Sequence, residues 1–199
     1  MTTLKIGIIG AGDIGTTHGN ILQKDINVTL GSVYDMDQER SEKFASRFGM
    51  EILSSVEEVI ADSDAVYITV PNKFHAELTL KVLDEGKHVF CEKPFALSIS
   101  DGENILRSVE KAGVVYQLGF NRRLAPAYKK MKVLITEGDL IPRSFNIKMN
   151  RGELQIPPWI SDSKLTGGFL FESTLHLIDI VSYLFCEAEN ITAVGTKSV

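Results

Sequence analysis

The sequence predicts an α/β chain: an N-terminal doubly wound parallel sheet followed by the beginning of an α+β domain. Three observations carry this. Short, nearly continuous apolar runs recur from the N-terminus to about residue 118, as strands buried on both faces require. Segments with helical spacing alternate with them. A glycine-rich turn follows the first run directly.

Leu4–Ile9 is the first strand, and a helix follows from about Asp13 to Lys24. Val28–Tyr34 is the next strand and Met36–Phe48 the next helix, with Phe44, Ala45 and Phe48 on one face. Ser55-Val-Glu-Glu58 has the form of a capping box and starts a short helix. Ala65–Val70 is a strand, and a helix from about Phe74 to Glu85 stops at Gly86. His88–Cys91 is a strand, Ser98 to Asp101 caps a helix that runs to Ala112 and Gly113, and Val114–Leu118 closes the series. The texture then changes, and a domain boundary is expected near residue 122. Beyond it a helix fits Pro126–Glu137, and Arg143–Asn150 alternates as a strand. An irregular stretch, Gly152–Gly168, leads to an apolar helix at Ser173–Phe185 and a last strand at Ile191–Val199.

Composition narrows the function classes. With 44% hydrophobic and 24% charged residues, a substantial core can form. The net charge of −5 argues against nucleic acid, which needs a concentrated positive surface. Cys91 and Cys186 stand alone, as reduced thiols in a reducing compartment do, and no metal-ligand spacing is present. No signal peptide or spanning segment is read, so the expected setting is cytoplasmic, without a membrane partner.

Gly10, Ala11, Gly12, Asp13, Ile14 and Gly15 form a G-x-G-x-x-G turn between a strand and a helix. In that context Gly10 permits the tight turn, Gly12 lets backbone approach a pyrophosphate, and Gly15 lets the helix pack on the strand. The helix N-terminus offers N–H groups and a positive dipole end. This is the dinucleotide-binding Rossmann fingerprint. Asp35 ends the next strand, 20 residues past Gly15. An acid there accepts hydrogen bonds from the adenosine ribose and repels a 2′-phosphate, which favours NAD over NADP. The alternative is that Asp35 only caps the following helix.

Further motifs follow in order: Val70-Pro71-Asn72 with His75, Gly86-Lys-His-Val-Phe-Cys-Glu92-Lys93-Pro94, Gly119-Phe-Asn-Arg-Arg123, and Gly167-Gly168 leading to Glu172, His176 and Asp179. Together they resemble the glucose-fructose oxidoreductase / inositol dehydrogenase family of sugar and polyol dehydrogenases. That resemblance implies hydride transfer between NAD(P) and a carbinol carbon of a sugar, inositol or related polyol, and a homo-oligomer. Two departures stand out. Glu172 occupies a position where many members carry Asp, and the chain ends soon after the family's broad second-domain sheet should begin, as a fragment would.

Lys93 lies past the end of a strand, where open α/β sheets bind ligands, and its ammonium suits a developing negative charge on the reacting oxygen. Glu172, His176 and Asp179 have i, i+4, i+7 spacing, which on a helix places all three on one face. Read from the residues alone, His176 is equally a proton shuttle or a satisfied core histidine. The resemblance assigns it as general acid/base with Lys93 as partner, and Glu172 as the group that orients the substrate or one of these two. The resemblance also places Pro71, Asn72, His75 and Glu92 on the cofactor's nicotinamide side, with His75 equally readable as a surface histidine. Arg122, Trp159 and Asp179 are candidate substrate contacts, each with a structural alternative. His18 and His88 are read as structural. The rival from another class is a catalytically inactive dinucleotide-binding regulator or sensor of the same family.

Overall fold

The computed structural model describes residues 3–149 and 157–195. The described residues divide into two compact units. One takes in the chain up to Gly119 and the described part of the segment that ends at Glu172. The other begins at Phe120 and resumes at Ser173. A single cut near residue 122 is therefore too simple, because the segment carrying Trp159 and Glu172 returns to the first unit.

The first unit is a six-stranded sheet, β1 (Leu4–Ile9), β2 (Val28–Tyr34), β3 (Glu51–Ile52), β4 (Ala65–Ile68), β5 (His88–Cys91) and β6 (Tyr116–Leu118). Its order is β3-β2-β1-β4-β5-β6, and every pair is parallel. Helices α1 (Asp13–Leu22), α2 (Gln38–Phe48), α3 (Val56–Asp62), α4 (His75–Asp84) and α5 (Ile99–Ala112) connect the strands. The chain leaves β1 for β2 on one side and later returns to place β4 on the other. That reversal opens the crevice, outside the strand C-termini, where such sheets take ligands.

Strand alternation builds two cores. Ile6 and Ile8 of β1 join Leu22, Val33, Phe44 and Met50 on one face, whereas Ile9 joins Val59, Ile68, Val82, Val89 and Ile105 on the other. Each such fully buried aliphatic contributes about 1.5–3 kcal/mol. Local chemistry sets the helix starts. Asp37 accepts from the N–H groups of Glu39 and Arg40, Ser55 from Glu58 and Ser98 from Asp101. The Glu58 carboxylate also accepts from the N–H and hydroxyl of Ser54. Asp37, and not Asp35, caps α2.

In the second unit α6 (Pro126–Glu137) packs against α8 (Leu175–Phe185), burying Ile180 and Leu184. Two expectations fail here. Residues 143–149 and 191–195 form no strand. Their alternation fits a pleated surface, but a strand exists only where a neighbour pairs its N–H and C=O groups. Asn150, residues 152–156 of the irregular stretch and residues 196–199 of the last strand lie outside the described residues. Among the described residues no helix is long and apolar enough to cross a membrane.

Candidate active site

The glycine turn leaves β1 with Gly10 at φ +103°, where a Cβ would sit 2.8 Å from the Thr69 backbone. A Cβ on Gly15 would lie 2.3 Å from the Gly10 carbonyl oxygen, so α1 reaches this depth only with glycine there. Gly12 differs: nothing lies within 4 Å of its Cβ position. Sterics inside the fold therefore require Gly10 and Gly15, whereas Gly12 faces open space, as close approach of a ligand backbone demands. Gly12 is also the N-cap of α1, and among the described residues no side chain caps the helix N-terminus. With α2, α3 and α5 all capped by side chains, α1 alone of these four presents its first N–H groups and dipole end uncovered. Asp13 and Ile14 are exposed in its first turn.

Asp35 is already engaged. Its carboxylate accepts from Ala11 N–H at 2.7 Å and from Asp37 N–H at 2.9 Å. Its own N–H donates to Ser41 Oγ at 3.0 Å. The acid at the end of β2 is thus tied to the turn at the end of β1, which holds it over the crevice. These groups suit a dinucleotide: uncovered helix N–H groups for a pyrophosphate and a fixed carboxylate for a ribose.

Across the switch point, Lys93 follows β5. Its Nζ donates to the Glu172 carbonyl at 2.9 Å and stands 3.4 Å from Glu172 Oε1. Glu172 Oε2 accepts from Asn72 Nδ2 at 3.0 Å, and the same amide donates to the Thr166 carbonyl at 2.9 Å. Three residues spaced widely along the chain thus form one cluster: Asn72 after β4, Lys93 after β5, and Glu172 on the returning segment. Lys93 and Glu172 are only 13% and 16% exposed, so the pair is partly shielded from water.

Glu172 does not stand on the same regular helix as His176 and Asp179. It lies in a π-helical turn, Leu170–Thr174, that precedes α8. The wider turn breaks the 3.6-residue period between Glu172 and His176, so the one-face expectation holds only within α8. In the second unit His176 stands edge-on to Phe120, with centroids 6.1 Å apart. Asp179 is 7% exposed, and both carboxylate oxygens accept from Arg123. The Arg123 guanidinium also lies over the rings of Phe120 and Tyr183. That pairing engages the Asp179 carboxylate with Arg123. Arg123 is the functional-looking residue that sequence reasoning passed over for its neighbour Arg122; both stand in the same motif. Arg122 lies in a 3₁₀ turn at Asn121–Leu124 and Trp159 in another at Pro158–Ser161, both half-buried.

His75 is not on the surface. It is fully buried, with Nδ1 2.9 Å from the Pro94 carbonyl and Nε2 2.9 Å from the Val70 carbonyl. It pins the loop after β4 to the Lys93-Pro94 loop. Burial pushes its pKa below the ordinary value, although both carbonyls favour the protonated ring. Desolvation wins, and the neutral ring serves one carbonyl at a time.

Residues 4–120 match the family described as oxidoreductases with an NAD-binding Rossmann fold. The chain belongs to this family. It is 36% identical over 194 residues to glucose-6-phosphate 3-dehydrogenase of Bacillus subtilis, covering 94% of this chain and 55% of that protein. It is 31% identical over 185 residues to scyllo-inositol 2-dehydrogenase (NAD(+)) of the same organism, covering 91% and 54%. The crystal structure of apo scyllo-inositol dehydrogenase from Lactobacillus casei superposes with a TM-score of 0.76 at 27% identity, covering 92% of this chain and 55% of that one. The chain therefore spans about half the length of the relatives it matches. NAD is the cofactor of the family fold, and the first unit's open helix N-terminus and fixed Asp35 fit it.

Two outcomes follow from this geometry. Gly12→Ala should leave the unfolding midpoint within about 1 kcal/mol of wild type, because its Cβ meets no protein atom, yet abolish measurable NADH binding by calorimetry. The His75 shift predicts a pH effect on stability. A group whose folded pKa is depressed takes up more protons when unfolded, so its stabilisation is present above about pH 6.5 and is lost as pH falls below it. Urea unfolding from pH 7.5 to 5 should show this loss, and His75→Gln should flatten it.

Proposed function

We propose that this chain carries the cofactor-binding half and part of the catalytic centre of an NAD-dependent dehydrogenase. Its substrate class is a sugar, inositol or related polyol. The Lys93–Glu172–Asn72 cluster at the strand ends carries this reading. A lysine there with no partner would be an ordinary loop cation. Here its ammonium is aimed by a carbonyl and a carboxylate, which lowers the reorganisation needed when charge develops nearby.

In this reading NAD, when bound, supplies the acceptor for the hydride that leaves the carbinol carbon with its bonding electrons. Lys93 donates a hydrogen bond to the carbinol oxygen and stabilises the negative charge it gains as the O–H bond breaks. His176 takes the hydroxyl proton, and the C–O bond becomes a carbonyl. Glu172 orients Lys93, since its carboxylate already spans the ammonium and Asn72. Asp35 selects NAD over NADP through its charge at the ribose. The two named sugar and inositol dehydrogenases, one of them NAD-dependent by name, support the substrate class. An idle sensor would have no use for an oriented ammonium.

Two measurements test this. With a panel of inositols and sugar phosphates, NADH formation should be seen by absorbance. Lys93→Ala should lower kcat about 10²–10⁴-fold with NAD affinity changed by no more than a few fold. Normal turnover in that variant would remove Lys93 from the mechanism. Calorimetric titration should also show NAD(H) binding more tightly than NADP(H), with the gap narrowed in Asp35→Ala. Equal affinities in the wild type would mean that Asp35 does not meet the ribose.

A further inference from the structure

His18 takes no part in the site as described so far, yet three elements meet around its partner. Glu92 Oε1 lies 2.8 Å from His18 Nε2 on α1. Glu92 Oε2 accepts from the Lys93 backbone N–H at 3.3 Å. A Cβ on Gly119, just past β6, would sit 2.9 Å from that same oxygen, so the carboxylate fills the space that glycine leaves. The His18 and Glu92 side chains are 18% and 16% exposed. The imidazole stands edge-on to Tyr67 of β4 and Phe90 of β5, at 5.5 and 4.7 Å, and these two rings stack at 4.5 Å. The ring is thereby fixed in orientation as well as place.

We propose that His18 is a positioning residue for the hydride-transfer end of the cofactor, acting through Glu92. NAD is long and on this reading would be held at separate places, by the N-terminus of α1 for its pyrophosphate and by the Lys93 loop for its reacting end. A productive site holds such groups to within about 0.5 Å. The sheet fixes β1 and β5 relative to each other, but the glycine turn and the Lys93 loop lie beyond their ends. His18 sits one helical turn from Gly15 and binds the carboxylate that holds the Lys93 N–H. It therefore links the two grips through one bond between side chains. A charged or charge-assisted bond in a shielded setting is strong enough to do this. The inference rests on the reading of Lys93 given above.

The test separates the bond from the packing. His18→Phe keeps a ring against Tyr67 and Phe90 but removes the donor to Glu92. His18→Gln removes the ring and restores a side-chain N–H at similar reach. Both are titrated calorimetrically with NADH and with ADP-ribose, which lacks the nicotinamide. His18→Phe should weaken NADH about five- to tenfold, the effect of having to re-order a released Glu92 side chain on binding, and ADP-ribose by less than about twofold. His18→Gln should recover most of the NADH affinity. Equal weakening of both ligands, a His18→Phe protein that binds like wild type, or a glutamine variant no better than phenylalanine would overturn the proposal. None of these outcomes bears on Lys93 as a catalytic group, which the turnover of Lys93→Ala decides by itself.

Discussion

The site of the first unit depends on one interaction, the grip of Glu172 on the Lys93 ammonium. Lys93 is placed by β5, but a strand end fixes only the backbone; a lysine side chain has four further rotatable bonds and costs about 2 kcal/mol of rotamer entropy to immobilise. The Glu172 carbonyl and carboxylate supply the direction. Glu172 in turn is held by Asn72, whose amide also ties down the Thr166 carbonyl. The returning segment thus carries part of the Lys93 cluster and does more than connect two helices. Its attachment to the sheet unit explains why the division into units follows contacts and not chain order.

Electrostatics organises both edges of the crevice in a similar way. On the cofactor side Asp35 faces backbone N–H groups; on the Lys93 side two carboxylates, Glu92 and Glu172, surround one ammonium and one imidazole. Each charged side chain has a partner, so partial burial does not leave it uncompensated. His75 is the exception in kind. Burial favours its neutral form, whose single N–H bonds one of the two carbonyls at a time.

What the sequence made legible was what is decided locally. The glycine turn, the caps at Ser55 and Ser98 and the stops at Gly113 and Gly138 depend on neighbours within a few residues, and the structure carries all of them. The EKP lysine and the later glutamate were recognisable as residues of interest, yet their direct contact was not, because it depends on how far the chain returns. The π-helical turn at Leu170–Thr174 was invisible for the same reason: widening a turn by one residue leaves the side-chain pattern intact. For His75 the sequence left a nicotinamide-side and a surface reading equal, since the first turn of a helix reads alike whether water or a loop lies above it. Arg123 was masked by Arg122, and only the hydrogen bonds to Asp179 tell which of the two is paired. The expected strands, 143–149 read from alternation and 191–195, pair with no neighbour among the described residues.

The double engagement of Asp35 has an evolutionary consequence. Its carboxylate serves as the acceptor for the N–H of buried Ala11 and for that of Asp37. A substitution that makes room for a phosphate at this position also orphans a buried amide in the glycine turn, a loss of about 1–3 kcal/mol. In the proposed reading of Asp35, cofactor choice and fold stability are linked through one side chain. A lineage drifting from one nicotinamide cofactor to the other would need a compensating acceptor for Ala11 before, or together with, the loss of the acid.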